Sequence, residues 1–247
     1  MNETIRVMKN HRSIREYLPK PIPDEVVDEL VAAAQAAPTS INSQEISLLV
    51  VRDKALRAQF AEIAGGQPWI AEAPLFFVFV ADLYKAKLAA DKVGKPLVIP
   101  DSVEATIAVS IDAGICMGTV ITAAESLGLG IVPIGGIRNN PQAVIELLDL
   151  PEYTYPINGL AVGYPANLSQ QKPRMPVAAF RHDEKYDKEK LPALIDEYDQ
   201  LMQRYLRNIG RYEIEGDWSR NTMNYYSQIY FPKVYPTMLA QGFKNEK

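Results

Sequence analysis

The sequence predicts a layered domain of the α/β or α+β class. Short apolar runs of strand length, at 46–51, 75–80, 131–134 and 157–162, alternate with stretches of helical spacing. One long segment, 102–127, is apolar on most faces and interrupted only by Glu104, Asp112 and Glu125. The chain has 247 residues, 47% hydrophobic and 23% charged, which is length enough for one large domain with a substantial core.

Taken in order, residues 1–10 read as a short helix and 11–22 as an irregular basic stretch ending in Pro19, Pro21 and Pro23. Pro23 suits the first turn of a helix, and Asp24 and Glu25 complement its positive end. Val26, Val27, Leu30, Val31 and Ala34 follow at helical spacing until Pro38. The run 46–51 is a buried strand, and 54–64 is a helix that Gly65 and Gly66 cap. The run 75–80, rich in Phe and Val, is a second buried strand. A helix over 82–92 and a loop over 93–101 lead into the long helix, which must pack in the core or against a second subunit. Gly114 and Gly118 leave room for another backbone, and Gly128 and Gly130 end the helix. A strand over 131–134, a helix over 141–150 and a strand over 157–162 complete the core. Residues 163–187 are irregular, 188–208 helical, and the tail helical in pieces. Tyr225, Tyr226, Tyr230, Phe231 and Tyr235 in that tail need a surface to cover. The expected organisation is a core over 1–187 and a helical extension over 188–247 of the same domain.

Several function classes are excluded as expectations. A net charge of −4 argues against a nucleic-acid partner. Carboxylates inside the long apolar helix argue against a membrane span. The single cysteine, Cys116, allows neither a disulfide framework nor a cysteine zinc site, and two histidines are too few for a metal cluster. The opening MNETIRVMKNHRS lacks the apolar region of a secretory signal, so a cytoplasmic location is expected. No Gly-x-Ser-x-Gly elbow and no phosphate-binding glycine fingerprint occurs, and the glycines around 128–136 follow a helix instead of a strand.

Four strings remain. His11-Arg12-Ser13-Ile14-Arg15 groups guanidiniums, an imidazole and a hydroxyl that suit a phosphate, or else form a solvated basic turn. Lys172-Pro173-Arg174 is a second basic string with the same two readings. Residues 38–44, dense in hydroxyls and amides, suit a polar ligand edge or an ordinary turn. Residues 128–136 place glycines at both ends of a strand, where a flat ligand could approach the backbone or a helix cap and turn could form.

Together with GGQPWI at 65–70, GYPA at 163–166, KPRMP at 172–176 and DWS at 217–219, these strings resemble the nitroreductase family, in particular its NADPH-dependent flavin reductase and oxygen-insensitive nitroreductase group. The resemblance spans the chain. It implies an α+β fold, a mixed-sheet sandwich with a long central helix and a C-terminal helical extension, shared between the subunits of a homodimer. It implies noncovalent FMN, with NADPH (or NADH) as hydride donor, and flavins, quinones or nitroaromatics as acceptors in a ping-pong cycle. The FMN positions it implies are His11, Arg12, Ser13, Arg15, Gln67, Pro133, Ile134, Gly135, Gly136, Lys172 and Arg174, with Thr39, Ser40 and Asn42 reaching in from the partner subunit. It implies no obligatory catalytic side chain and no metal. Arg204, Arg207 and Arg211 are candidates for the NADPH 2′-phosphate, although Ile209 stands where some relatives carry arginine. A non-enzymatic flavin carrier of the same fold is the alternative.

Overall fold

Four strands build the sheet: β1 (Ile46–Val51), β2 (Leu75–Asp82), β3 (Gly130–Ile134) and β4 (Thr154–Gly163), in the order β1-β2-β4-β3. Their ladders are all antiparallel. Among the described residues the sheet is therefore mixed only through one isolated parallel bridge, Ser13 to Ile131, where the basic stretch runs along β3. This computed structural model describes residues 2–247.

The helices in chain order are α1 (Glu3–Lys9), α2 (Asp24–Gln35), α3 (Lys54–Ile63), α4 (Pro68–Glu72), α5 (Tyr84–Val93), α6 (Val103–Ser126), α7 (Pro141–Leu147), α8 (Val177–Phe180), α9 (Leu191–Asn208), α10 (Tyr212–Glu215), α11 (Trp218–Tyr226) and α12 (Val234–Ala240). Chain contacts divide them into two units. One unit runs to Ser169 and resumes over Phe231–Lys247, and the other is Gln170–Tyr230.

In the first unit, β2 is buried along its whole length, which explains its unbroken apolar run. Strand alternation sends Leu75, Phe77 and Phe79 to one face and Phe76, Val78 and Val80 to the other. The first face packs on Val27, Leu30 and Ala34 of α2 and on Cys116, Val120 and Ala124 of α6. The second packs on Phe60 of α3, Ile70 of α4 and Val144 of α7. Each fully buried phenylalanine contributes roughly 1.5–3 kcal/mol of transfer free energy. Asp53 starts α3 by accepting a hydrogen bond from Leu56 N at 2.8 Å.

α6 starts at Ser102, whose hydroxyl accepts from Glu104 N at 3.2 Å, and is followed by Gly128 at φ 76. It buries one stripe, Ala105, Val109, Asp112, Ala113, Cys116, Val120 and Ala124, and leaves Ile107, Ile111 and Ile115 exposed. It is long and apolar enough to cross a membrane by length and composition alone.

Several elements differ in length from the sequence expectation: β2 runs on to Asp82, α9 begins only at Leu191, and two further differences have a visible cause. The helix expected over 141–150 stops at Leu147, because Asp149 turns to φ 50. The strand expected from 157 begins at Thr154. Pro156 obscures that start in the sequence, and the ladder accommodates it with a register shift between Phe79 and Val80.

In the second unit, Tyr198, Met202 and Leu206 lie four apart on one face of α9 and pack with Met175 and Trp218. The Tyr198 hydroxyl donates to Pro173 O at 2.9 Å.

Candidate active site

The basic stretch is laid along the outer edge of β3. Ile14 N donates to Ile131 O at 2.8 Å, and the Ile14 side chain is buried. Gly130 makes this possible, because a Cβ there would lie 2.6 Å from Ile14 Cγ1 and 2.9 Å from Pro165 Cγ. Tyr17 anchors the far end: its hydroxyl donates to Ile14 O at 2.8 Å. Burial pushes the Tyr17 phenol well above its usual range, so it remains a donor.

Each polar residue of the stretch then has a defined place. Glu125 Oε1 accepts a hydrogen bond from His11 Nδ1 at 2.6 Å, which ties the motif to the last turn of α6. The Ser13 carbonyl accepts from Ser169 Oγ at 2.8 Å. Arg15 lies over the Trp69 ring, 5.5 Å from its centroid. Arg12 Nη2 donates to Asn10 Oδ1 at 2.7 Å, while its Nε is buried with no hydrogen-bond partner among the described residues. Arg12 lines a cavity of about 180 Å3 with Asn10, Glu125, Gly128 and Gly130. A buried guanidinium donor without an acceptor costs free energy unless an anion or water meets it.

The second string, 38–44, forms a tight 3-10 turn at Ser40–Asn42. Ile41, Asn42 and Gln44 have φ of 46°, 59° and 54°. A β-branched residue at positive φ is strained, and Ile41 is 95% exposed, so burial of its own side chain does not compensate. The turn is held from beneath. Ser40 N donates to Asp112 Oδ2 at 2.9 Å, and Gln44 N donates to Thr39 Oγ1 at 3.2 Å. Asp112 is buried in the apolar helix, so one of the three carboxylates that interrupt the hydropathy pattern holds this turn.

The third string closes β3. Pro133 and Ile134 end the strand, and Gly135–Asn139 makes a 3-10 turn. A Cβ on Gly136 would lie 2.7 Å from Ala64 O and 2.8 Å from Gln67 Nε2. Gln67 Nε2 itself donates to Ala64 O at 2.9 Å, so Gln67 and Gly136 belong to one junction. The close approach at Gly130, Gly135 and Gly136 is made by the chain's own atoms. A ligand is not needed to explain those glycines, and this revises the reason for which they stood out in the sequence.

In the second unit, Arg174 Nη1 donates to Lys172 O at 3.1 Å, which keeps that basic string in a local bend. Arg204 and Arg207 lie exposed on α9. Arg207 stands over the Tyr212 ring at 4.3 Å, and Arg211 pairs with Glu215 at 2.6 Å.

Three residues that position the site escaped sequence reading. Glu125 and Asp112 left a signal, since each is a carboxylate placed in an otherwise apolar helix. Trp69 left none beyond its place in GGQPWI. Among the described residues no cluster of histidine, cysteine or carboxylate side chains could hold a metal ion.

A buried antiparallel sheet, a long central helix beneath a strained hydroxyl-rich turn, and a basic stretch pinned to the sheet edge define the class. The chain belongs to the nitroreductase family: that family's model matches residues 8–164, and the model of its C-terminal domain matches residues 172–246. It is 42% identical over 249 residues, covering 100% of both chains, to the FMN reductase (NAD(P)H) of Bacillus subtilis strain 168. The structure of B. megaterium NfrA2 superposes with a TM-score of 0.97 at 45% identity, covering 100% of both chains. The NADPH:FMN oxidoreductase of Vibrio harveyi, solved in complex with NAD+, superposes at 0.88 with 32% identity, covering 98% of this chain and 99% of that one.

Proposed function

We propose that this protein is a cytoplasmic, homodimeric oxidoreductase that uses FMN to pass reducing equivalents from NADPH or NADH to flavins, quinones or nitroaromatics. The observation that carries the reading is Arg12, whose buried Nε has no partner among the described residues while the stretch around it is pinned at Ile14 and His11. That is a preorganised anion donor, and it fits the phosphate of FMN. When bound, FMN supplies the hydride chemistry; the chain's task is position and charge.

The residues divide that task. Arg12 and Ser13 hold the phosphate and ribityl end, and Arg15, fixed over Trp69, supplies positive charge. Gln67, Pro133, Ile134, Gly135 and Gly136 form the wall beside the ring system. His11 orients the strand through Glu125. Lys172 and Arg174 enter through the string they share with the family. Thr39, Ser40 and Asn42 are offered to the partner's FMN by a turn whose most prominent side chain, Ile41, projects into solvent in the single chain. The exposed Ile107, Ile111 and Ile115 of α6 supply the apolar face of that dimer. Arg204, Arg207 and Arg211 are the candidate readers of the nucleotide 2′-phosphate.

One bound FMN used by donor and acceptor in turn requires ping-pong kinetics. Steady-state rates with NADPH and a quinone varied together test this, alongside identification of the flavin released on denaturation. Parallel double-reciprocal lines and released FMN support the proposal. Intersecting lines would overturn the ping-pong order, and a protein that binds FMN and turns over nothing favours the carrier alternative.

A further inference from the structure

A second cavity lies in the first unit, between the amino-terminal half of α6, β4 and α12. Its volume is about 250 Å3. Val109, Ile157, Val234, Met238 and Phe243 give it apolar walls, and Arg138 and Tyr155 line it. Tyr155 is 4% exposed, and its hydroxyl has no hydrogen-bond partner among the described residues. Burial pushes the Tyr155 phenol up to about 12, against the opposing charge of Arg138, so at neutral pH it is a hydrogen-bond donor. Arg138 is fixed in place: its Nη1 donates to Ile157 O at 2.6 Å, and Phe231 lies 4.9 Å from its guanidinium. A Cβ on Gly135 would lie 2.9 Å from Arg138 Nη2. The guanidinium thus joins the cavity to the wall assigned above to the FMN ring.

Size and polarity select the ligand. An apolar cavity of about 150 Å3 is sufficient for benzene, and pockets for drug-sized molecules run from roughly 300 to 1,000 Å3. This cavity therefore admits one substituted ring and excludes a tricyclic flavin. A cation and a neutral phenol donor favour oxygen acceptors on that ring, while Phe243 and Met238 favour an aromatic face. We propose that this cavity is a binding subsite for single-ring aromatic electron acceptors that carry oxygen substituents, quinones and nitroarenes, and that Tyr155 and Arg138 recognise those oxygens. The acceptor role rests on the proposed FMN chemistry. The binding role does not.

The test separates the two. Benzoate, a redox-inert ring with two oxygen acceptors, is titrated into the oxidised holoprotein by calorimetry, for wild type, Tyr155→Phe and Val234→Trp. The expected result is a benzoate site in the wild type, about tenfold weaker binding in Tyr155→Phe, and no binding in Val234→Trp, whose indole fills the cavity. Should Val234→Trp fail to fold, Tyr155→Phe, which removes one oxygen atom, decides. In turnover, kcat/KM for 1,4-benzoquinone divided by that for free FMN falls about tenfold in Tyr155→Phe. Unchanged benzoate affinity in the folded variants, or no binding to wild type, overturns the subsite. Benzoate binding that responds to both variants, in a protein that NADPH does not reduce, upholds the subsite and overturns the enzymatic reading.

Discussion

Glu125 Oε1 lies 2.6 Å from His11 Nδ1, so the first residue of the basic motif is fastened to the last turn of the central helix. This contact spans 114 residues of sequence and sets where the extended stretch 11–15 begins. Hydrogen bonds to charged groups contribute about 1.5–3 kcal/mol. Glu125→Ala is therefore expected to weaken FMN binding about tenfold, read by flavin fluorescence titration. Unaltered affinity would show that the contact does not position the motif.

Arg12 bears on the ligand more directly. Arg12→Ala removes the donor that has no partner among the described residues, and a loss of roughly ten- to a hundredfold in FMN affinity is expected. Arg12→Lys should not restore it, because an ammonium lacks the Nε donor and the planar fork. Because Nε is a buried donor without an acceptor among the described residues, Arg12→Met is expected to leave the apoprotein at least as stable as wild type. Equilibrium denaturation of the apo forms checks the second point.

Gly130→Ala places a Cβ 2.6 Å from Ile14 Cγ1. Overpacking of this kind costs typically 1–3 kcal/mol. The accompanying change Ile14→Ala should recover part of that loss, which a double-mutant cycle measures. Additive losses would mean that the two residues do not share one joint.

The turn over Ser40–Asn42 carries a pH signature. Burial raises the Glu45 carboxyl above its usual value; the Ser43 hydroxyl opposes the shift and nearby Asp112 adds to it. A raised carboxyl binds its proton more tightly in the folded state. Stability from this group is therefore present below the unfolded pKa and is lost as pH rises through the folded one. Glu45→Gln is expected to stabilise the protein at pH 7 and to have a smaller effect at pH 4, seen by thermal unfolding at both values. An equal effect at both would remove the carboxyl's titration as the cause.

Ile111 is exposed in the middle of α6. Ile111→Glu is expected to give monomers by light scattering. FMN should be lost with the dimer, since the turn at 39–42 is offered to the partner's cofactor. Monomers that keep FMN at wild-type affinity would contradict that assignment.

The sequence disclosed the elements whose patterns are local. β2 and α6 were legible because an unbroken apolar run of strand length and one of helix length each have few alternatives. The start of β4 was hidden because Pro156 argues against a strand wherever no bulge is foreseen. The direction of the sheet was not legible either: antiparallel and parallel ladders of buried strands carry the same apolar composition, and the connection that sets direction is a tertiary feature. Of the candidate site, the strings themselves were visible, and their supports were not. The bond from Asp112 to Ser40 and the bond from Glu125 to His11 join residues 72 and 114 apart, distances over which no periodicity operates. What showed in the sequence was only the anomaly of carboxylates in an apolar helix, which counted there against a membrane span and here explains two anchors.

The measurement that tests the central claim most directly is the absorbance spectrum of the purified, dialysed protein, followed by anaerobic addition of NADPH and, separately, NADH. A flavin spectrum that bleaches within seconds of adding NADPH is the predicted result, and the NADH trace then gives the donor preference. A colourless protein that does not take up added FMN, or a flavin spectrum that neither nucleotide bleaches, would contradict the account.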